Sequence, residues 1–161
     1  LYNNGFTIVN GYGNKIGYYI ASEATKLMIE ENVINFRRHL QMFPFNEHLS
    51  NEDKTNHRTF MIEKTNFSIF LYGSGSKESG MFEEYKITKN NPNRIIIPIG
   101  STGGTARIIL EDVKNNLIKY PYLEKYINAL ENENDPKILS RIILSIINEN
   151  LKNSVKQNYH R

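Results

Sequence analysis

The stretch HRTFMIEKTNFSIFLYGSGSKESGMFEEY, from His57 to Tyr85, decides the fold of this chain. Its first residues, HRTFMIEKT, predict a short helix, and the apolar run NFSIFLYG that follows predicts a buried strand. Glycines and serines up to Gly80 then predict a loop, and MFEEYKITKN predicts a second helix. A helix, a strand, a glycine-rich loop and a helix in this order are typical of an α/β protein.

Strands and helices also alternate on either side of this stretch. A short apolar run predicts a strand at about 6–9, and NVINFRRHLQMFPF contains a second strand that stops by Pro44. NRIIIPIG is a continuous apolar run, as expected for a strand covered on both faces. Helical spacing predicts helices over 16–31 and about 106–117, and the polar residues 46–56 predict a loop. This alternation predicts a Rossmann-like, mostly parallel sheet flanked by helices.

The composition suits a single soluble domain over residues 1–161, with 39% hydrophobic and 23% charged residues. No run approaches the ~20 apolar residues of a membrane span. The net charge of +3 comes without a dense Lys/Arg block, so neither nucleic acid nor a membrane is predicted as a partner. The absence of cysteine excludes disulfides and thiolate metal sites and is compatible with the cytoplasm, the predicted location. The four histidines have no metal-ligand spacing, so no metal site is predicted.

The C-terminal segment KILSRIILSIINENL predicts an amphipathic helix, with Asp135 as its cap and Pro136 in its first turn. Its apolar stripe consists of Ile138, Leu139, Ile142, Ile143, Ile146, Ile147 and Leu151. One interpretation is a helix that covers the sheet, and the other is a surface for self-association.

Three glycine-rich loops, NGYGNKIG, GSGSKESG and GSTGG, each follow a predicted strand. Ligands of parallel α/β sheets bind beyond the carboxyl ends of the strands, so these loops predict one ligand crevice. Glycine lets the backbone approach a phosphate, and the next helix supplies N–H donors. The alternative is that the loops are tight turns between a strand and a helix. The candidate binding residues in the first and third loops are Gly11, Tyr12, Gly13, Ser101, Thr102 and Gly103.

Three charged residues are further candidates. Arg58 lies early on a predicted helix, Lys77 in the second glycine-rich loop and Glu84 on the helix after it. Their ordinary interpretations are a surface arginine, a solvated lysine and a carboxylate that favours a helix N-terminus. Glu83 and Glu84 point about 100° apart on a helix, so only one of them can face a pocket.

The opening stretch resembles the paired motifs of the LOG family, the cytokinin-activating phosphoribohydrolases. That family has an Arg followed by a Met on a helix, then a strand, then P-G-G-x-G-T-x-x-E. Arg58 and Met61 match the first motif, and Gly80 and Glu84 match the end of the second. The Pro-Gly-Gly is replaced by SKE and the Thr by Met81.

With these departures the chain resembles the regulatory SLOG domains of the Thoeris system of bacterial anti-phage defence. The resemblance covers most of the chain, from about Phe6 to Leu117 together with the terminal helices, and implies a sensor without chemistry or a cofactor of its own. The implied ligand is a cyclic ADP-ribose isomer made by a TIR-domain protein, and the implied effector is an upstream sirtuin-like domain that consumes NAD. The family's first strand is expected before Leu1, and self-association is expected.

The resemblance also implies roles for the candidate residues. Arg58 is expected to bind the pyrophosphate, Lys77 to add a point charge and Glu84 to accept hydrogen bonds from ribose hydroxyls. Backbone N–H groups near Gly11, Gly13, Thr102 and Gly103 are expected to take phosphate oxygens, and Tyr12, Phe43 or Phe45 to stack on adenine. Two alternatives stay open: a phosphoribohydrolase with Glu84 and Arg58 as catalytic residues, and an oligomerisation module built on the isoleucine stripe.

Overall fold

The computed structural model describes residues 4–11, 16–46 and 48–159, the last six of these by their backbone alone. The chain divides into two compact units, Leu1–Asn66 and Phe67–Arg161. The strands are β1 (Ile8–Asn10), β2 (Leu40–Met42), β3 (Phe67–Leu71) and β4 (Ile95–Ile99), and the helices are α1 (Ile16–Glu30), α2 (Asn51–Glu63), α3 (Gly80–Lys89), α4 (Gly104–Lys114), α5 (Ile127–Asn132) and α6 (Pro136–Tyr159).

All described strand pairs are parallel, which confirms the predicted α/β class. In the first unit β1 pairs with β2, with Ile8 opposite Leu40, and in the second β3 pairs with β4, with Phe67 opposite Ile95. Helix α1 connects the first pair and α3 connects the second, as parallel strands require a crossover. The expected sheet is present as two strand pairs, one in each unit.

The core of the first unit lies between α1 and β2. Ala21, Ala24 and Met28, spaced at three and four residues, form the buried face of α1, and Leu40 of β2 completes the cluster. The predicted helix over 16–31 is confirmed to within one residue.

The prediction of a loop over residues 46–56 is wrong in its second half, because α2 begins at Asn51. The Ser50 side chain accepts a hydrogen bond from the Asp53 N–H at 3.1 Å and so caps the helix. Glu52 and Asp53 place negative charge in the first turn, where the helix dipole favours it. The sequence S-N-E-D contains this capping signal. The first turns of the helix were nevertheless not predicted, because they lack the apolar residues whose spacing indicates a helix.

The core of the second unit is built on β4 and α4. Ile96, Ile97 and Ile99 are at most 1% exposed, which confirms the predicted strand covered on both faces. Helix α4 buries Ile109, Leu110 and Val113 completely. Three elements follow for which the sequence made no prediction: 3₁₀ turns at Leu117–Lys119 and Pro121–Tyr126, and α5.

A tyrosine hydroxyl bonds to both backbone groups of one residue in β4. The Ile96 N–H donates to the Tyr122 hydroxyl at 3.0 Å, and the same hydroxyl donates to the Ile96 carbonyl oxygen at 3.2 Å. Burial raises the pKa of Tyr122 to about 12.

Helix α6 begins as predicted. Asp135 Oδ1 accepts hydrogen bonds from the N–H groups of Lys137 at 2.7 Å and Ile138 at 3.3 Å, and Pro136 occupies the first turn. The middle of the apolar stripe, Ile146 and Ile147, is buried, and the helix packs against α5 and the turn Pro121–Tyr126. The stripe thus covers other elements of its own unit, and self-association stays a prediction.

In the described part of the chain, no helix combines the length and apolar character that crossing a bilayer requires.

Helix α4 starts in close contact with the backbone that ends β3. Gly104 has φ +57°, and a Cβ placed on it would lie 2.3 Å from the Gly73 carbonyl oxygen and 2.9 Å from that of Tyr72. Real Cβ atoms do not approach backbone oxygens this closely. Only glycine therefore allows α4 to begin at this distance from β3.

We expect Gly104→Ala to lower the free energy of unfolding by about 3 kcal/mol or more, measured by urea denaturation. A left-handed alanine costs ~1–2 kcal/mol, and the new methyl group also has no space between two backbone oxygens. Gly75→Ala is the matched control, because Gly75 has φ +80° but its Cβ would meet the Gly104 Cα at an ordinary 3.9 Å. Equal losses in the two variants would contradict the close approach.

Candidate functional site

The loops that follow β3 and β4 are hydrogen-bonded to each other. The Tyr72 N–H donates to Thr102 Oγ1 at 2.8 Å, and the Gly75 N–H donates to Thr105 Oγ1 at 3.1 Å. In return, the Ala106 N–H donates to the Tyr72 carbonyl oxygen at 2.8 Å. These bonds join loop 72–79 to loop 100–103 and to the first turn of α4. The joined surface lies at the carboxyl ends of the strands, where ligands of parallel α/β sheets bind.

Two of the three candidate residues in loop 100–103 already use polar groups inside the fold. The Thr102 hydroxyl donates to the Ile99 carbonyl oxygen at 2.6 Å and accepts from the Tyr72 N–H, so one lone pair remains to it. The Gly103 N–H donates to the Gly100 carbonyl oxygen at 3.0 Å. Ser101 differs, because its Oγ is buried and has no hydrogen-bond partner in the described part of the chain. Its hydroxyl is the one in this loop whose hydrogen-bonding capacity is unused among the described residues.

Helices α3 and α4 begin beside each other at this surface. The Ser79 side chain caps α3 by accepting from the Phe82 N–H at 3.2 Å, and its Oγ lies 3.2 Å from Thr105 Oγ1 in the first turn of α4. The N-terminus of a helix carries a partial positive charge and unpaired N–H groups. Two such termini in contact favour a negatively charged ligand.

Glu84 and Lys77 lie on either side of the start of α3. Glu84 is half-buried on the helix, and its backbone oxygen accepts from the Thr88 hydroxyl at 2.8 Å. Lys77 is exposed in loop 72–79. The binding roles of Glu84 and Lys77 stay predictions.

A side-chain network fixes α3, and with it Glu84, against α4. The Tyr85 hydroxyl donates to Asp112 Oδ2, and Lys89 Nζ lies 2.6 Å from the same oxygen. Burial acts to raise the pKa of Asp112, but hydrogen bonds from Lys89 and Tyr85, together with the charges of Lys89 and Lys77, outweigh it and hold this pKa below its usual value. Burial and the bond to Asp112 raise the pKa of Tyr85 far above its ordinary range, so its hydroxyl stays a donor.

In the first unit, Gly11 and Arg58 lie at the carboxyl ends of β1 and β2. A Cβ on Gly11 would lie 3.3 Å from Met61 Sδ, so Met61 packs over this glycine. Arg58 precedes Met61 by three residues and therefore shares its face of α2. The Arg58 guanidinium carbon lies 4.4 Å from the centre of the Phe45 ring, which follows β2. Tyr12 and Gly13 lie outside the described residues.

The aromatic residues after β2 form a cluster that supports the Arg58 side chain, and the sequence did not predict this cluster. The Phe45 ring meets the His57 ring edge to face at 5.0 Å, and His57 Nε2 lies 3.3 Å from the Phe43 carbonyl oxygen. Phe43 also meets Phe60 edge to face at 5.8 Å. The proposed stacking of Phe43 or Phe45 on adenine stays untested, but both rings already have partners. Phe45 is separated from Arg58 by thirteen positions, so no local pattern signals their contact.

We expect Phe45 and Arg58 to be energetically coupled. In a double-mutant cycle of Phe45→Leu and Arg58→Gln, urea denaturation should give a coupling free energy of about 0.5–1 kcal/mol, the value of a partly exposed cation–π contact. Phe45→Tyr, which keeps the aromatic face, is the control and should retain most of this coupling. A coupling of zero would contradict the stacked arrangement.

The Asp112 network predicts a dependence of stability on pH. Because the folded-state pKa of Asp112 lies below the ordinary value near 3.8, its contribution is present above that value and is lost as pH falls through the folded pKa. The difference in unfolding free energy between the wild type and Asp112→Asn should therefore be constant near neutrality and shrink in acid. Glu124→Gln is the control for the loss of one exposed carboxylate. A difference that grows in acid would refute the assignment.

Comparison with known proteins identifies a family and two curated relatives to which this chain is similar. A model of the Sir2- and TIR-associating SLOG family, STALD, matches residues 1–150. NAD(+) hydrolase ThsA of Enterococcus faecium is 29% identical over 158 residues, which cover 90% of this chain and 32% of that protein. NAD(+) hydrolase ThsA of Bacillus cereus (strain MSX-D12) is 28% identical over 141 residues, which cover 80% of this chain and 29% of that protein.

The chain thus spans about a third of the length of these curated relatives. The resemblance inferred from the glycine-rich loops, Arg58 and Glu84 is confirmed at the level of the family, because the family model extends over both units. This chain belongs to the Sir2- and TIR-associating SLOG family.

Proposed function

We propose that this chain is a regulatory sensor domain that binds a cyclic ADP-ribose isomer and controls a linked NAD-hydrolysing domain in anti-phage defence. The relatives named NAD(+) hydrolase support the link to NAD, since this region accounts for about a third of their length. In this proposal a TIR-domain protein makes the signal, and the domain itself catalyses no reaction.

The observation that carries the proposal is the joined surface of loops 72–79 and 100–103, with the starts of α3 and α4 beside it. A cyclic ADP-ribose has a pyrophosphate with two negative charges, which suits two helix N-termini better than one. When its ribose hydroxyls are removed from water, they require hydrogen-bond acceptors and donors from the protein. Glu84 supplies an acceptor, and the Ser101 hydroxyl supplies both.

Arg58 is the ligand group proposed for the first unit. Its guanidinium is half-buried and stacked on Phe45, so less side-chain entropy is lost when it forms hydrogen bonds to a phosphate. Each charge-assisted hydrogen bond contributes about 1.5–3 kcal/mol. Three or four of them suffice for micromolar binding after the cost of association.

The test is isothermal titration of the chain with a panel of cyclic ADP-ribose isomers. We expect micromolar binding by the wild type and a loss of about 10-fold or more in Arg58→Ala and in Glu84→Ala, from the same hydrogen-bond energies. Arg141→Ala, which removes an exposed arginine on α6, and Glu83→Ala are the matched controls and should bind as the wild type does.

The bound ligand is then recovered and analysed by chromatography. Intact ligand agrees with a sensor. Release of free base that is abolished in Glu84→Gln would instead make the chain a phosphoribohydrolase. If the chain binds no isomer at millimolar concentration, the sensor proposal is wrong.

A further inference from the structure

Tyr72, the first residue after β3, has a backbone conformation that its residue type disfavours. Its φ is +57°, and in the described part of the chain Asn32 is the other residue besides glycine with a positive φ. Asn32 follows the end of α1 and has a short polar side chain that tolerates this conformation. A tyrosine side chain is bulky and does not stabilise a positive φ. Backbone outliers of this kind cluster at functional sites.

The surrounding hydrogen bonds hold Tyr72 in this conformation without using its side chain. The Thr102 hydroxyl accepts from its N–H, and its carbonyl oxygen accepts from the Ala106 N–H. Both bonds involve backbone atoms of Tyr72, which any residue possesses. Glycine at this position would form them and relieve the strain, so the turn itself does not explain the aromatic ring.

The ring of Tyr72 is available to a ligand. The side chain is 49% exposed, and among the described residues its ring and hydroxyl have no aromatic, cationic or hydrogen-bonding partner. This distinguishes it from Phe43 and Phe45, whose rings pack against His57. Tyr72 also lies in loop 72–79, beside the helix N-termini that favour an anion.

We propose that Tyr72 is the residue that stacks on the nucleobase of the ligand, with the purine face against its ring. The inference rests on the proposed function, because it assigns the base end of a nucleotide whose phosphate lies near the starts of α3 and α4. The pinned backbone fixes the direction of the Cα–Cβ bond before the ligand arrives, so binding restricts only the two side-chain torsions of Tyr72. Stacking on an aromatic face also tolerates a modified or cyclised ribose, since it needs only the base.

The test compares AMP with ribose 5-phosphate, which share the phosphate and ribose and differ by the base. We expect wild type to bind AMP more tightly than ribose 5-phosphate by about 10- to 100-fold, the range of aromatic stacking on a base. Tyr72→Asn should abolish this difference and leave ribose 5-phosphate binding unchanged, because asparagine tolerates the positive φ and keeps the turn. Tyr72→Phe should preserve the difference.

Two further observations complete the test. In wild type the adenine H2 and H8 NMR signals of AMP should move upfield through the ring current of Tyr72, and in Tyr72→Asn they should not. Tyr19→Ala removes a tyrosine that is 65% exposed on α1 and should leave the difference between the two ligands intact.

The outcomes separate this inference from the proposed function. An unchanged preference for AMP in Tyr72→Asn would overturn the stacking role, even if cyclic ADP-ribose isomers bind. A base preference that depends on Tyr72, without binding of any cyclic isomer, would support the stacking role and overturn the sensor. A wild type that binds neither AMP nor a cyclic isomer at millimolar concentration would overturn both.

Discussion

The close approach between the start of α4 and the end of β3 is the constraint on which the second unit depends. Without a side chain at Gly104, the first turn of α4 lies directly against the carbonyl groups of Tyr72 and Gly73, the first two residues after β3. This contact brings Thr102 and Thr105 within hydrogen-bonding distance of the β3 loop, and it brings Thr105 to the Ser79 cap of α3. The candidate site is therefore a product of backbone packing, and its polar groups follow from that packing.

The sequence predicted the elements whose burial is strong and local. The apolar run of β4, the helical spacing of α1 and the Asp135 cap of α6 each carry their signal within a few residues. The start of α2 was missed because polar residues fill its first turns. The strands of the first unit have three residues each, too few for a pattern to define their ends.

The position of the candidate site could be predicted from the sequence. The hydrogen bonds and contacts of its individual side chains were less predictable. Glycine-rich loops after parallel strands indicate where a ligand binds, and Arg58 and Met61 share a helix face by spacing alone. A threonine that binds a ribose and one that joins two loops look identical in sequence, so the internal use of the Thr102 hydroxyl had no signal. The support of Arg58 by Phe45 is a contact across separate elements, and the positive φ of Tyr72 contradicts its residue type.

The hydroxyl of Tyr122 limits where a further strand can pair with β4 of the second unit. By occupying both the N–H and the C=O of Ile96, a side chain takes the place of a neighbouring strand at that point. An extended peptide or another copy cannot add to β4 there without displacing the half-buried phenol, which is a form of protection against edge-to-edge aggregation. With its pKa raised to about 12, the phenol keeps its proton throughout the physiological range. Assemblies of this unit that preserve the Tyr122 contact therefore leave the sheet unextended at Ile96.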